Sequence, residues 1–259
     1  MKSTPMKISL IKISPKKISK MKNAAFLLFC AFALSACGDR EAEQRAAAQA
    51  QAAAQEEAAA ALAREYDNAV TSQNWDMARV HGSALLSQYP DSQAAAKMKA
   101  GYEEVKAKGE AAREQRRLAA LWNYAQVSAA GGTQRSAMIY SKDPVDLDGS
   151  GARPVQLVFR DHPKWKRSAY LVLQASDFRC AGGCSVKVVA DGGAAKSMAA
   201  WRPDTDEAIA MFVTDYKSLW RLLRKTKVVS VEFPVKGGGT RTATFETGAL
   251  DGAQMPGWD

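Results

Sequence analysis

The chain changes character near residue 118, and that break constrains its fold more than any motif. Residues 38 to 118 are rich in Ala, Glu, Gln and Arg and poor in Gly. Beyond them, β-branched and aromatic residues alternate with Gly, Asp and Pro. Alanine, glutamate and glutamine favour helix, whereas short alternating runs bounded by turn residues read as strands. The expected class is α+β: an N-terminal helical module, then an antiparallel sandwich-like domain or rolled sheet with one packed helix.

The extreme N-terminus has its own logic. Lys22 precedes an apolar run, Ala24 to Ala33, and the tetrad Leu34-Ser35-Ala36-Cys37 follows. A charged segment, a short apolar stretch and a small-residue cleavage site make a secretory signal over residues 1–36. The run falls short of the ~20 apolar residues that span a bilayer. The tetrad resembles the lipobox of bacterial lipoproteins, which implies cleavage before Cys37 and lipid on that cysteine. At ~0.8 kcal/mol per buried methylene, more than one acyl chain anchors stably. Gly38 follows the cysteine and Asp39 comes one place later than the aspartate of inner-membrane retention. The resemblance therefore implies an outer-membrane address facing the periplasm. Met21 would make a compact start, and residues 1–20 read either as a long leader or as an over-extended gene start.

Removal of the leader changes the electrostatics. Residues 1–36 hold seven lysines and no acid; taking seven from the 36 basic residues leaves 29 against 27 acidic. The formal +9 is thus largely a property of the leader, and a global argument for nucleic-acid binding fails.

Within the helical part, residues 37–62 read as an Ala/Glu/Gln-rich spacer with few large apolar side chains. As a helix it would extend roughly 35–40 Å; as a marginal one it would be a frayed linker. From residue 63 to 121 the periodicity sharpens. One helix ends near Ser72, a second starts at Asn74-Trp75, and Tyr89-Pro90-Asp91-Ser92 separates it from a third over 92–121. This arrangement resembles a tetratricopeptide repeat. A copy or so cannot build a peptide groove, because such units bury their faces on neighbours. A structural stalk or oligomerisation element is the favoured reading of this module.

Residues 122–259 read as the β-rich domain. Strands are expected over 136–141, 154–160, 168–174, 185–190, 208–213, 228–233 and 241–247, with a hairpin turn at Gly237-Gly238-Gly239. One amphipathic helix is expected over 215–225. Tyr216, Leu219, Trp220 and Leu223 share a face, and Thr214 or Asp215 caps it. Trp122-Asn123-Tyr124, Phe178-Arg179-Cys180 followed by Cys184-Ser185-Val186, and the 228–245 hairpin are similar to a set of bacterial envelope proteins of uncharacterised function. That resemblance implies the domain boundaries and a periplasmic setting, and no activity.

Chemistry-bearing residues are few. Cys180 and Cys184, an even pair in an oxidising compartment, read first as a structural disulfide. A redox pair and a metal site are the alternatives, but the spacing is not Cys-x-x-Cys, and zinc would need two further ligands. His162 lies in a polar loop with no evident nucleophile, and His81 sits on a helix. Asp146, Asp148, Ser150 and Gly151 imitate the first half of a calcium loop, whose twelfth position is Leu157 rather than glutamate. Arg221, Arg224, Lys225 and Lys227 crowd a helix C-terminus, where cations complement the dipole. With Trp165 and Trp201, expected in Pro-containing loops, and His162, the arginines Arg221 and Arg224 make a candidate interaction surface.

The expected function is non-enzymatic: a lipid-anchored periplasmic scaffold or protein-binding component, with membrane contact through Cys37 and without cofactor, metal or nucleic acid. One alternative is an immunity-type or lysozyme-type inhibitor that inserts a protruding loop, residues 161–167, into a hydrolase. Another is an enzyme whose site is not recognisable. The sequence does not assign an oligomeric state.

Overall fold

The computed structural model describes residues 35–204 and 210–259, with side chains from residue 40 onward. Residues 1–34 of the expected leader and the side chain of Cys37 lie outside the described residues. The chain divides into two compact units, residues 1–59 and 60–259. Helix α1 (Ser35–Thr71) runs without a break through residue 62. No proline or glycine interrupts residues 39–81, so nothing breaks it. In the first unit its residues 40–55 are all exposed, in keeping with a composition that offers no apolar stripe. Arg45 and Glu41 pair across one turn at 3.3 Å.

In the second unit the end of α1 packs with α2 (Trp75–Gln88) and α3 (Gln93–Ala119). Asn74 and Ser92 cap these helices, their side chains accepting from the amides of Met77 and Ala95. The close approach rests on Gly82. A Cβ there would lie 2.5 Å from Tyr102 Cε2 and 3.2 Å from Tyr66 Cδ2. The Tyr102 hydroxyl then donates to the Arg79 carbonyl at 3.1 Å. No helix among the described residues is long and apolar enough to cross a membrane.

Among the described residues eleven strands follow: β1 (Trp122–Ala129), β2 (Gly132–Tyr140), β3 (Val145–Asp146), β4 (Ala152–Arg153), β5 (Gln156–His162), β6 (Lys166–Val172), β7 (Cys184–Ala190), β8 (Lys196–Trp201), β9 (Ala210–Val213), β10 (Val228–Pro234) and β11 (Thr240–Glu246). Nine form one sheet in the order β1-β2-β5-β6-β9-β8-β7-β10-β11, and β3-β4 is a separate two-stranded ribbon. Every pairing is antiparallel. The fold is therefore α+β, with the β part a rolled sheet. Just past β2, the Lys142 amide donates to Thr244 of β11 at 2.7 Å, which brings the two ends of the sheet together around one core.

Strands β1 and β8 and the two-residue β3 and β4 were not expected. The sequences of β1 and β8, WNYAQVSA and KSMAAW, lack the β-branched runs that mark strands; pairing with neighbours decides them instead. Helix α4 (Tyr216–Leu223) is capped by Asp215, which accepts from the Ser218 amide at 3.0 Å. It buries Leu219, Trp220 and Leu223. Beyond β11, Leu250, Met255 and Trp258 join the same core, and Phe159 meets Trp220 and Trp258 edge-on at 5.1 and 5.6 Å.

Candidate functional site

Alternate residues of the central strands face opposite sides of the sheet. One row, Ala137-Phe159-Ala169-Val213-Ala200, lies in the core. The next, Met138-Val158-Tyr170-Phe212-Trp201, runs across β2, β5, β6, β9 and β8 on the outer face. An antiparallel sheet with one solvated face ordinarily carries polar residues there. Here the ring centroids of Tyr170 and Phe212 lie 4.9 Å apart, and Trp201 stacks on Phe212 at 4.7 Å. Trp201 is 46% exposed.

A second aromatic lip comes from the β5–β6 turn. The strands pair as far as His162 opposite Lys166, leaving only three turn residues, 163–165. Nδ1 of His162 accepts from the amides of Lys164 and Trp165, at 3.0 and 3.2 Å. The imidazole stacks on Trp165 at 4.1 Å, and Arg167 pairs with Asp161 at 2.9 Å. These bonds hold Trp165 outward at 65% exposure. His162, 93% buried, is thus the cap of a turn. The expected protruding loop over 161–167 is corrected to a short braced turn, because the strands pair almost to its tip.

Between the two lips lies a cleft of about 430 Å³, lined by Arg160, Trp165, Ser168, Trp201, Phe212 and Thr214 among others. Arg160 is its distinctive group. The guanidinium carbon lies 5.3 Å from the Trp165 ring centre and 5.2 Å from that of Tyr170. Such cation–π contacts contribute ~0.5–2 kcal/mol each, depending on desolvation. Burial raises the Tyr170 phenol above its ordinary pKa, with Arg160 opposing, so the ring under the cation is uncharged at neutral pH. Among the described residues no carboxylate pairs with Arg160. Its Nε is buried without a hydrogen-bond partner, and Nη2 reaches only the Ser168 hydroxyl, at 3.5 Å.

The remaining expected residues disperse. Trp201 ends strand β8 rather than lying in a loop, because it pairs with Phe212 of β9. Arg221 lines a different groove, with Lys196 and Lys225. Arg224 donates to the Leu250 carbonyl at 2.7 Å and approaches Asp259 at 3.3 Å; it holds the C-terminal segment and does not join the aromatic cleft. His81 is half-buried on α2. Asp146 accepts from the amides of Asp148 and Gly149, and Asp148 from that of Ser150, which makes that loop a set of Asx turns. No group of three or more His, Cys, Asp or Glu among the described residues is placed to hold a metal.

Cys180 and Cys184 form a disulfide. Gly182 and Gly183 supply the left-handed turn between them, at φ +69° and +103°. Cys184 pairs in register with Ala200, so the bridge anchors the sheet beside Trp201. Arg160, Tyr170 and Phe212 were not singled out beforehand. The available signal was apolar residues at successive positions in strands, Leu157-Val158-Phe159 and Met211-Phe212-Val213, which leaves no purely polar face. Comparison with protein-family models, curated proteins and solved structures yields no match to this chain.

Proposed function

We propose that the protein is an outer-membrane lipoprotein, anchored through Cys37 and facing the periplasm, that binds a protein partner on the outer face of its sheet without catalysing a reaction. The observation that carries this reading is the half-buried aromatic row that ends in exposed Trp201, with exposed Trp165 held opposite it. Large aromatic side chains on a stiff backbone surface are the usual anchors of protein interfaces. Their rigidity also lowers the entropy lost on association.

Genetically encoded photo-crosslinkers placed in the full-length protein test it in cells. A probe at position 201 is expected to trap one discrete protein, and a probe at Glu103, exposed on α3, to trap none. Absence of any adduct from position 201 overturns the reading. A trapped secreted hydrolase with reduced activity would replace the scaffold form of the proposal with the inhibitor form.

A further inference from the structure

We infer that the cleft receives an extended acidic segment of the partner protein, with one Asp or Glu carboxylate seated on Arg160 and apolar neighbours lying along the aromatic row. The inference rests on the protein-binding reading above. A guanidinium has two faces and a donor-bearing edge. In Arg160, Trp165 and Tyr170 engage the group through their rings. Its hydrogen-bonding capacity is almost unused, with one contact at 3.5 Å. Nε is closed off from solvent, so a carboxylate meets the outer guanidinium nitrogens with charge-assisted bonds.

The neighbouring cation does not compete for that carboxylate. Arg167 already pairs with Asp161 at 2.9 Å and also donates to the Gly257 carbonyl. Arg117, also on the surface, is held between Glu114 and Glu246 at 2.8 and 2.9 Å. Arg160 is thus matched to a single negative charge, which favours a carboxylate over a phosphate. The rest of the surface distinguishes a peptide from an acidic sugar. Val158 in the middle of the row is already buried, and the row's open part lies at Trp201, which faces Trp165 across the cleft. Apolar side chains beside the acid would cover those two rings.

A phage-displayed library of random dodecapeptides, selected on the full-length protein and counter-selected on Trp201→Ala, provides the probe. The expected winners carry one Asp or Glu flanked by apolar residues. A winning peptide, synthesised, is expected to lose at least tenfold in affinity on Arg160→Gln. It should lose as much when its own acid becomes the amide. The two changes together should cost no more than either alone, the signature of a direct pair. Arg160→Lys, which keeps the charge without the planar fork, should restore only part.

Winners that need Trp201 but ignore Arg160→Gln overturn the carboxylate inference and leave protein binding standing. A library that yields no Trp201-dependent binder overturns both. Preferential binding of trigalacturonic acid over the winning peptide overturns the peptide assignment. If Arg160→Gln does not fold, the amide peptide on the unaltered protein decides alone: retained affinity overturns the inference.

Discussion

The two faces of the central strands use the same residue classes to opposite ends. In the core row, Phe159 is flanked across the pairing by Ala137 and Ala169, small neighbours that leave room for Trp220 and Trp258 against its ring. On the outer row, one residue out of phase, Tyr170 and Phe212 pack beside each other and lead to Trp201 at the margin. Nothing among the described residues covers that margin. An aromatic in the first row holds the fold together; one at the edge of the second presents a surface. The comparison separates stability from binding, and substitutions on each side of the sheet can break it.

The largest expected effect is Phe159→Ala. Phe159 is fully buried, and truncation of a buried phenylalanine costs ~3–5 kcal/mol through lost transfer energy and the cavity left behind. Chemical denaturation should show a lower midpoint with little change in slope, or no folded baseline. A loss below about 1 kcal/mol would mean that Trp220 and Trp258 do not depend on that ring, and the contrast between faces would fail.

Trp201→Ala comes next. The side chain is nearly half exposed, so it gives up less buried area than Phe159, plus the stack on Phe212, about 0.5–1.5 kcal/mol beyond that area. A melting curve close to that of the unaltered protein, together with loss of the crosslinked partner, would sharpen the distinction. A destabilisation approaching that of Phe159→Ala would move Trp201 into the structural set and remove the support for a binding surface.

Much of this was legible in the sequence, for local reasons. The breaks at Asn74, Ser92 and Asp215 are caps whose chemistry is carried by the residue itself, and all three cap helices here. The disulfide and its glycine turn are equally local. Seven strands were visible because β-branched runs fell between turn residues. Strands β1 and β8, and the gathering of Trp165 with Trp201, were not. They depend on which strands become neighbours, and β8 reaches β6 only through β9. The role of Arg160 was hidden for the same reason. Its ring partners are Trp165, five residues away across a turn, and Tyr170 on the next strand. Arg221 and Arg224 looked like its equals in sequence, yet the fold sends one to another groove and the other to the C-terminal segment.

The smallest effect compares two surface arginines. Arg117 joins α3 to β11 through Glu246, whose carboxylate is only 16% exposed. The hydrogen bond from Arg117 holds the Glu246 carboxyl below its ordinary value of 4.5, against the opposing effect of burial. A depressed carboxylate stabilises the folded state above its unfolded pKa, and that contribution disappears as pH falls through the lower, folded value. The difference in stability between the unaltered protein and Glu246→Gln should therefore be constant from pH 7 down to about 5. It should shrink progressively below pH 4.5 and vanish under stronger acid. Denaturation at stepped pH reads this directly, and a difference that persists undiminished at pH 2.5 would show that packing, not charge, makes Glu246 matter. Arg160 has no such carboxylate among the described residues. Arg160→Gln should therefore show no matching acid-dependent loss in the free protein, and should acquire one only when an acidic peptide is bound.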